Sequence, residues 1–491
     1  PYPVSVKLHP PTQSSGGNPN LFAHLSRRPT NSRNQLHGLI LKLQQKRPTL
    51  TSHKEHPLLQ GDAPNRGKPK AEVPAGWVTI VEFSQTRETR SGLRFRLPRI
   101  GPLTKGVLTL SGGTAIAQAF SFLIYPVLTR YYEPDAFGFM AVYVSLVGII
   151  VTASSLGYEQ AIPLPKDAQG GMDVVGLSLY LNAGLAVLTG AIFAVCPSLM
   201  EMMVPGESVF RSTSLLIPFG VLLAGSYRVV TMWAVRRKEY RVISSTQVAQ
   251  SISGGTIKLL GSFAWPSALM LIFATMASSG VGIGSVVNRT MRLRGVKLPS
   301  ASQAWKTAKR FWRFALFGAP AGLINSLSTG LPALFMARFF SLAVAGQYSL
   351  TTSVIAVPIG LLRGSLSRVF FAEAGALGKD KPLEVLQLTS RFTKRSLLLI
   401  LGPSAALAFF GPQMFSFVFG VDWKLAGQFA QFFSVFLIAS LVTTPFEAIF
   451  YVFEKQHLDL ALNVLKLALS TGSFVLPHLF NASATVAVAS Y

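Results

Sequence analysis

Cysteine is nearly missing from this sequence: Cys196 stands alone in 491 residues. One thiol cannot close an intrachain disulfide, and the paired cysteines and Cys/His clusters of a structural zinc site do not occur. Acidic residues are also few, 20 against 45 basic ones. Charge of both signs together makes up 13% of the chain, where a soluble domain carries about 25%. That scarcity excludes a chain built mainly of soluble domains. No GxxxxGK[ST] loop is present, which excludes ATP hydrolysis by a P-loop. No metal and no cofactor is expected. What is abundant instead is apolar: 49% of residues are hydrophobic and the mean hydropathy is +0.41.

The net charge of +25 would suit a nucleic-acid binder, but its distribution does not. Residues 1–105 hold 17 Lys and Arg and 5 Asp and Glu. The remaining basic residues sit between apolar runs, where topology signals belong. No nucleic-acid partner is expected. Residues 1–105 are rich in Pro, Ser, Asn, Gln and basic side chains. Their best apolar stretch, His37–Leu43, is far short of the roughly 20 residues of a membrane span. They also lack the apolar core and small-residue cleavage site of a signal peptide. The composition predicts a disordered basic segment. The first methionine is Met140, inside the second apolar run. The segment is therefore read as translation upstream of a true start near Leu103–Val107, with a basic cytoplasmic tail as the rival reading.

From Gly106 onward, apolar runs of about 20 residues follow one another. They are placed at 106–128, 139–157, 174–196, 213–235, 244–263, 266–287, 314–336, 342–362, 396–419, 426–451 and 458–480. A twelfth begins at Ala482 and meets Tyr491, so that span is read as incomplete. The fold class expected is all-α, a polytopic membrane protein. With the N-terminus in the cytoplasm and loops assigned alternately, the inside loops hold 21 Lys and Arg and the outside loops 4. A span missed or invented early would destroy that asymmetry, so the helix count is well supported.

Two segments read alike. Pro126-Val-Leu-Thr-Arg130-Tyr-Tyr leads to Gly138, and Pro332-Ala-Leu-Phe-Met-Ala-Arg338-Phe-Phe leads to Gly346. Each ends a span with Pro, then places Arg, two aromatics, and Gly eight residues after the Arg. A Glu closes the following span in both, Glu159 and Glu373. The copies begin six spans apart, an even number, so both halves have the same orientation. The expected plan is two six-helix bundles related by a pseudo-two-fold axis along the membrane normal, with a substrate cavity between them. The division is 1–105, a six-helix half at 106–288, a basic cytoplasmic linker at 289–313, and an incomplete second half at 314–491.

Val107-Leu-Thr-Leu-Ser-Gly-Gly-Thr, Pro126 to Gly138 and Gly157-Tyr-Glu-Gln-Ala-Ile resemble the start of the polysaccharide transporter family, the O-antigen and capsule flippases. That family lies in the multidrug/oligosaccharidyl-lipid/polysaccharide exporter superfamily. Leu331-Pro-Ala-Leu-Phe-Met-Ala-Arg, Ala345-Gly-Gln-Tyr-Ser-Leu and Arg368-Val-Phe-Phe-Ala-Glu-Ala look like its helix 7–8 region. The resemblance covers residues 106–480 and departs from the family in the long N-terminal extension and the incomplete end. It implies a substrate, an undecaprenyl-pyrophosphate-linked oligosaccharide, moved from the cytoplasmic to the outer leaflet of the bacterial inner membrane. It also implies partners: membrane lipids, a polysaccharide polymerase and a chain-length regulator.

A flippase must give a polar, anionic head a wet path through lipid. Cations inside spans are natural partners for pyrophosphate, and they are costly if they face lipid. Arg228 in span 4 and Lys258 in span 5 are the candidates; snorkelling to an interface is the alternative for each. In span 5, Gln247, Gln250, Gly254 and Lys258 share a face. Gln118, Asn182 and Asn325 are further polar candidates, either for sugar contacts or for helix–helix contacts. Arg130 and Arg338 are gate or headgroup candidates at the outer ends of spans 1 and 7. Glu447 is a candidate for ion coupling. No catalytic residue is expected. A drug/cation antiporter of the same superfamily would favour buried acids, and the first half has no mid-span Asp or Glu. A membrane-embedded polysaccharide polymerase or glycosyltransferase would want a large outer loop or an acidic metal motif.

The charge asymmetry makes the topology testable. On a background lacking Cys196, single cysteines replacing Lys166, Arg237 and Lys306 should react only with reagent admitted to the cytoplasmic side, and one replacing Lys424 only from outside. Outside labelling at position 306 would refute the scheme at its most basic loop.

Overall fold

The computed structural model describes residues 102–196, 198, 215–290, 298–377, 381–452 and 456–491, all within the unit Phe95–Tyr491. The segment predicted to be disordered lies outside the described residues except for 102–105, which open the first helix. All regular structure among the described residues is helical.

The chain runs through α1 (Pro102–Tyr131), α2 (Pro134–Ser154), a 3-10 turn (Tyr158–Ala161), α3 (Ala168–Val195), α4 (Leu216–Arg236), α5 (Tyr240–Ala264) and α6 (Ala268–Thr290). It continues with α7 (Ala301–Arg310), a π turn (Phe314–Gly318), α8 (Ala319–Phe339), α9 (Leu342–Leu377), α10 (Pro382–Phe419), α11 (Lys424–Val452), α12 (Gln456–Leu479) and α13 (Ala484–Ser490). Each of the eleven predicted spans has its helix. Among the described residues, nine helices are long and apolar enough to cross a membrane. The chain is thus an all-α, multi-pass membrane protein. The two other long helices, α5 and α12, are more polar; α5 owes this to the Gln, Ser and Lys residues of its predicted stripe.

Two expectations about loops need correction. α9 does not stop at 362 but runs 36 residues to Leu377, and α10 starts at Pro382 rather than 396 and runs 38 residues. At 1.5 Å per residue each exceeds about 50 Å, well beyond a hydrocarbon core of about 30 Å. Hydropathy marks where lipid ends, and a helix need not end there. The stretch read as a linker, 289–313, contains a short helix, α7, whose N-terminus is closed by a capping box between Ser300 and Gln303.

The helix pairing of the first six spans recurs in the second set. α1 packs on α5 as α8 packs on α12; α3 on α4 as α10 on α11; α2 on α4 as α9 on α11; α4 on α6 as α11 on α13; and α5 on α6 as α12 on α13. Between the two sets the main contacts are α2 with α9 and α2 with α8. The largest apolar cluster is centred on these elements, with Phe137, Met336, Leu350, Phe429 and Phe433 in it.

α2 and α9 meet at their N-terminal ends through the two repeat glycines. A Cβ on Gly138 would overlap the Leu342 carbonyl and stand 3.1 Å from the Gly346 nitrogen. A Cβ on Gly346 would overlap the Pro134 carbonyl and stand 2.9 Å from the Gly138 nitrogen. Trp423, 1% exposed, closes over this crossing: its indole N–H donates to the Thr129 carbonyl at 3.0 Å, and its ring meets Phe137 edge-on at 5.0 Å. Gln347, one residue past Gly346, accepts from the Ala426 N–H at 2.9 Å and donates to the Asp422 carbonyl. Close packing and hydrogen bonds thus tie α2, α9 and the start of α11 together at this end.

Adding a methyl at either glycine forces two backbones apart. Gly138→Ala and Gly346→Ala should each lower thermal stability in detergent by about 1–3 kcal/mol. The double variant should cost less than the sum, since the first methyl already spreads the helices. Gly148→Ala, on the same helix with nothing within 4 Å of its Cβ, should be neutral or slightly stabilising.

Candidate functional site

A cavity of about 640 Å³ lies between the two sets of helices. α9 gives it a continuous stripe: Tyr348, Thr352, Ile355, Ile359 and Arg363 recur at three- and four-residue steps and so share one face. That stripe covers about 22 Å along the axis. α2 adds Met140, Ala141, Val144 and Ser145; α5 adds Lys258; α11 adds Phe433, Phe436 and Ser440. A second cavity, about 360 Å³, adjoins it among α1, α4, α5 and α6, and shares Tyr125, Lys258 and Thr275 with the first. A third, about 400 Å³, is lined by Gln118, Gln247, Gln250 and Ser353 and also reaches Tyr125. The three meet around Tyr125 in one tract whose wall is mainly apolar with polar groups set into it.

The predicted stripe of α5 faces this tract. Gln250, Gly254 and Lys258 line the second cavity and Gln247 and Gln250 the third. Gln247 accepts from the Thr114 hydroxyl at 2.7 Å, and Gln118 keeps a buried side-chain oxygen without a partner. The backbone carbonyl of Lys258 accepts from the Tyr132 hydroxyl at 2.9 Å, which ties that turn of α5 to the end of α1. Among the described residues no carboxylate pairs with the Lys258 ammonium.

Arg363 escaped sequence analysis. It looked like the first charge of a basic loop, and only the unexpected length of α9 puts it inside a helix and on the cavity wall. Its guanidinium donates to the Ser440 hydroxyl at 3.0 Å. Tyr125 and Tyr348 were likewise missed, because aromatics near helix ends are common as interfacial anchors. Among the described residues, the wall of the three cavities contains Lys258 and Arg363 and no Asp or Glu.

Arg228 lies elsewhere. It forms a 3.0 Å ion pair with Glu159, which is 2% exposed against 40% for the arginine side chain, and it lines none of the three cavities. Ser155 also donates to the Glu159 carboxylate. The turn that holds Glu159 follows two left-handed residues, Leu156 at φ 49° and Gly157 at φ 72°. They reverse the chain after α2 and return the carboxylate beneath α4. Just outside this cluster Arg236 grips the Ile162 and Asp167 carbonyls at 2.9 and 2.7 Å. The Gly170 N–H bonds the Asp167 carboxylate at 2.7 Å, and that bond holds its pKa below the ordinary value.

The other candidates are dispersed. Asn182 is fully buried between α3 and α4 and donates to the Leu222 carbonyl at 3.0 Å and the Ser226 hydroxyl at 3.2 Å. Asn325 is exposed on α8. Arg130 and Arg338 are exposed in the last turns of α1 and α8. The side chain of Glu447 lies outside the described residues.

Residues 127–427 match the family described as "Polysaccharide biosynthesis protein", which takes in more than half of the chain. The lipopolysaccharide biosynthesis protein WzxC of Escherichia coli (strain K12) is 23% identical over 361 residues, 72% of this chain and 70% of the relative. The succinoglycan biosynthesis transport protein ExoT of Rhizobium meliloti (strain 1021) is 22% identical over 330 residues, 62% of this chain and 60% of the relative. The fold is that of an inward-facing multidrug resistance MATE family transporter, at TM-score 0.53 and 15% identity over 78% of this chain and 89% of that one. A transporter from Pyrococcus furiosus, described as having a binding pocket of reversed polarity, aligns at TM-score 0.53 and 15% identity over 80% of this chain and 92% of its own. The chain belongs to the family described as "Polysaccharide biosynthesis protein".

Proposed function

We propose that this protein flips undecaprenyl-pyrophosphate-linked oligosaccharide from the cytoplasmic to the outer leaflet of a bacterial inner membrane. The observation that carries the reading is the charge of the cavity wall: among the described residues it holds two basic side chains, Lys258 and Arg363, and no Asp or Glu, and no carboxylate pairs with Lys258. A pyrophosphate concentrates negative charge, and a cation in a partly desolvated cavity attracts it more strongly than one in bulk water. Arg363 offers a fork of donors and Lys258 a point charge from the opposite side. Tyr125, Tyr348, Gln118, Gln247 and Gln250 supply ring faces and amide groups suited to a sugar. The neutral, apolar portions of the same wall lower the cost of passing an isoprenoid-linked head.

The cycle is alternating access between two halves, residues 106–288 and 314–491, about an axis normal to the membrane. The recurrence of helix pairings and the meeting of Gly138 with Gly346 support that relation. The α2/α9 crossing under Trp423 is then the outer gate in its closed state, with the cavity facing the cytoplasm. The basic loops keep the N-terminus and α7 on the cytoplasmic side. Arg130 and Arg338 serve as outer headgroup contacts. No covalent step is required of the chain, and Glu447 remains the proposed point of ion coupling.

A drug/cation antiporter is the second reading, since a multidrug transporter shares the fold. Its cargo would meet the Lys258 ammonium, which no carboxylate pairs among the described residues, and that disfavours it. Complementation of an export-deficient strain separates the two. Lys258→Ala and Arg363→Ala should each cut polysaccharide export about tenfold or more, the loss expected for one charge-assisted hydrogen bond. Arg363→Lys should recover part of it, and Arg363→Glu should be worse than Ala. Normal export from the Lys258→Ala, Arg363→Ala double variant, with expression checked, would end the electrostatic reading; efflux of a cationic dye by the intact protein would favour the antiporter.

Arg228 and Glu159 give a separate test. Arg228→Ala leaves a buried carboxylate unpaired and should cost about 2–3 kcal/mol of stability, less than for a fully buried pair because the arginine is half in solvent. Adding Glu159→Gln should restore most of the stability. Export restored in parallel assigns Arg228 a positioning role; export still lost with stability regained would return Arg228 to substrate contact.

A further inference from the structure

α7 joins the last span of the first set to the π turn that enters α8, and its three faces differ. Ala304 and Ala308 face inward, with Ala304 7% exposed, and pack with Phe311 and Ala315 against Tyr158, Leu177 and Leu181. Two hydrogen bonds fix the element: the Tyr158 hydroxyl to the Ala308 carbonyl at 3.2 Å, and the Tyr180 hydroxyl to the Pro299 carbonyl at 3.0 Å. One position on, at the same four-residue step, are Trp305 and Lys309; one further on are Lys306 and Arg310. Successive residues turn by about 100°, so these pairs form three adjacent faces: protein, aromatic and basic.

The aromatic face is unpartnered. Trp305 is 64% exposed, and Trp312, Leu316 and Phe317 carry the exposed apolar surface on through the π turn towards α8. The cations accompany it: the Lys309 ammonium stands 5.4 Å from the Trp305 ring centre and the Arg313 guanidinium 6.0 Å from that of Trp312. Asp167, on a separate loop, is within electrostatic reach of Arg310. A helix fused through one π turn to a membrane span cannot leave the membrane boundary. There, tryptophan rings settle at headgroup depth and lysine and arginine meet lipid phosphates. A free phosphate ion would account for the cations and leave the exposed rings unexplained.

We propose that α7 lies in the headgroup layer and is a docking site for anionic phospholipid, with the Trp305 and Trp312 rings at the acyl boundary and Lys306, Lys309, Arg310 and Arg313 on the lipid phosphates. The linker between the two helix sets is thereby fastened to the bilayer. This inference is independent of the cargo in the central cavity.

The test uses the full chain in nanodiscs of phosphatidylcholine, doped at equal mole fraction with nitroxide-labelled phosphatidylglycerol or nitroxide-labelled phosphatidylcholine. The emission due to Trp305 and Trp312 is obtained by difference from a Trp305→Tyr, Trp312→Tyr variant. We expect the phosphatidylglycerol probe to quench this emission at least twofold more than the phosphatidylcholine probe. The preference should shrink as salt rises, and it should fall to parity in a Lys306→Gln, Lys309→Gln, Arg310→Gln, Arg313→Gln variant. Salt dependence in the unaltered protein covers the case in which that variant does not fold. Equal quenching by both probes, at all salt concentrations, would overturn anionic-lipid docking. Quenching by neither would place α7 away from lipid and favour a protein partner or an aqueous ligand.

Discussion

The crossing of α2 and α9 is the constraint on which the rest of the architecture hangs. Two backbones approach until neither Gly138 nor Gly346 has room for a methyl group. In a membrane the apolar surroundings supply little drive for helices to associate, so close packing and hydrogen bonds must do it, and small residues permit the approach. Trp423 and Gln347 then add hydrogen bonds from the start of α11 to this contact. Side chains of the same two helices line the central cavity together with those of α5 and α11.

The polar groups of the interior divide by partner. Glu159, Arg228 and Asn182 are consumed in contacts between helices or turns. Lys258 and the glutamine stripe of α5 face open volume. Burying a charge in a bilayer is expensive whichever way it turns, so a cation needs either a counter-ion or water. Arg228 has the first. Lys258, in a cavity wide enough for solvent, has access to the second. That distinction separates a structural charge from one available to a ligand more clearly than depth in the membrane does.

α5 illustrates the cost of a functional lining. Its cavity face makes it too polar to rank with the nine apolar helices, although it is as long as they are and as deeply packed. It is held instead by α1 and α6 on either side. The same logic applies to α9 and α10, whose extensions carry the chain beyond any hydrocarbon layer as continuous helix.

By itself the sequence determined the all-α membrane fold, the order of the long helices among the described residues and the family, because hydropathy over about 20 residues and the placement of Lys and Arg are local properties. It also picked out the α5 stripe, since helical spacing alone decides which residues share a face. Only the tertiary structure decided what those faces meet. The repeat glycines were visible as a pattern, but that they touch depends on two helices more than 200 residues apart coming together. Arg228 and Lys258 look equivalent along the chain, and a turn folded back after α2 gives one of them a carboxylate and leaves the other on a cavity wall. Arg363 was hidden because hydropathy registers the edge of the lipid rather than the end of a helix. α7 was hidden because ten residues without an apolar run leave no hydropathy signal, and a capping box and a protein-facing pair of alanines order them.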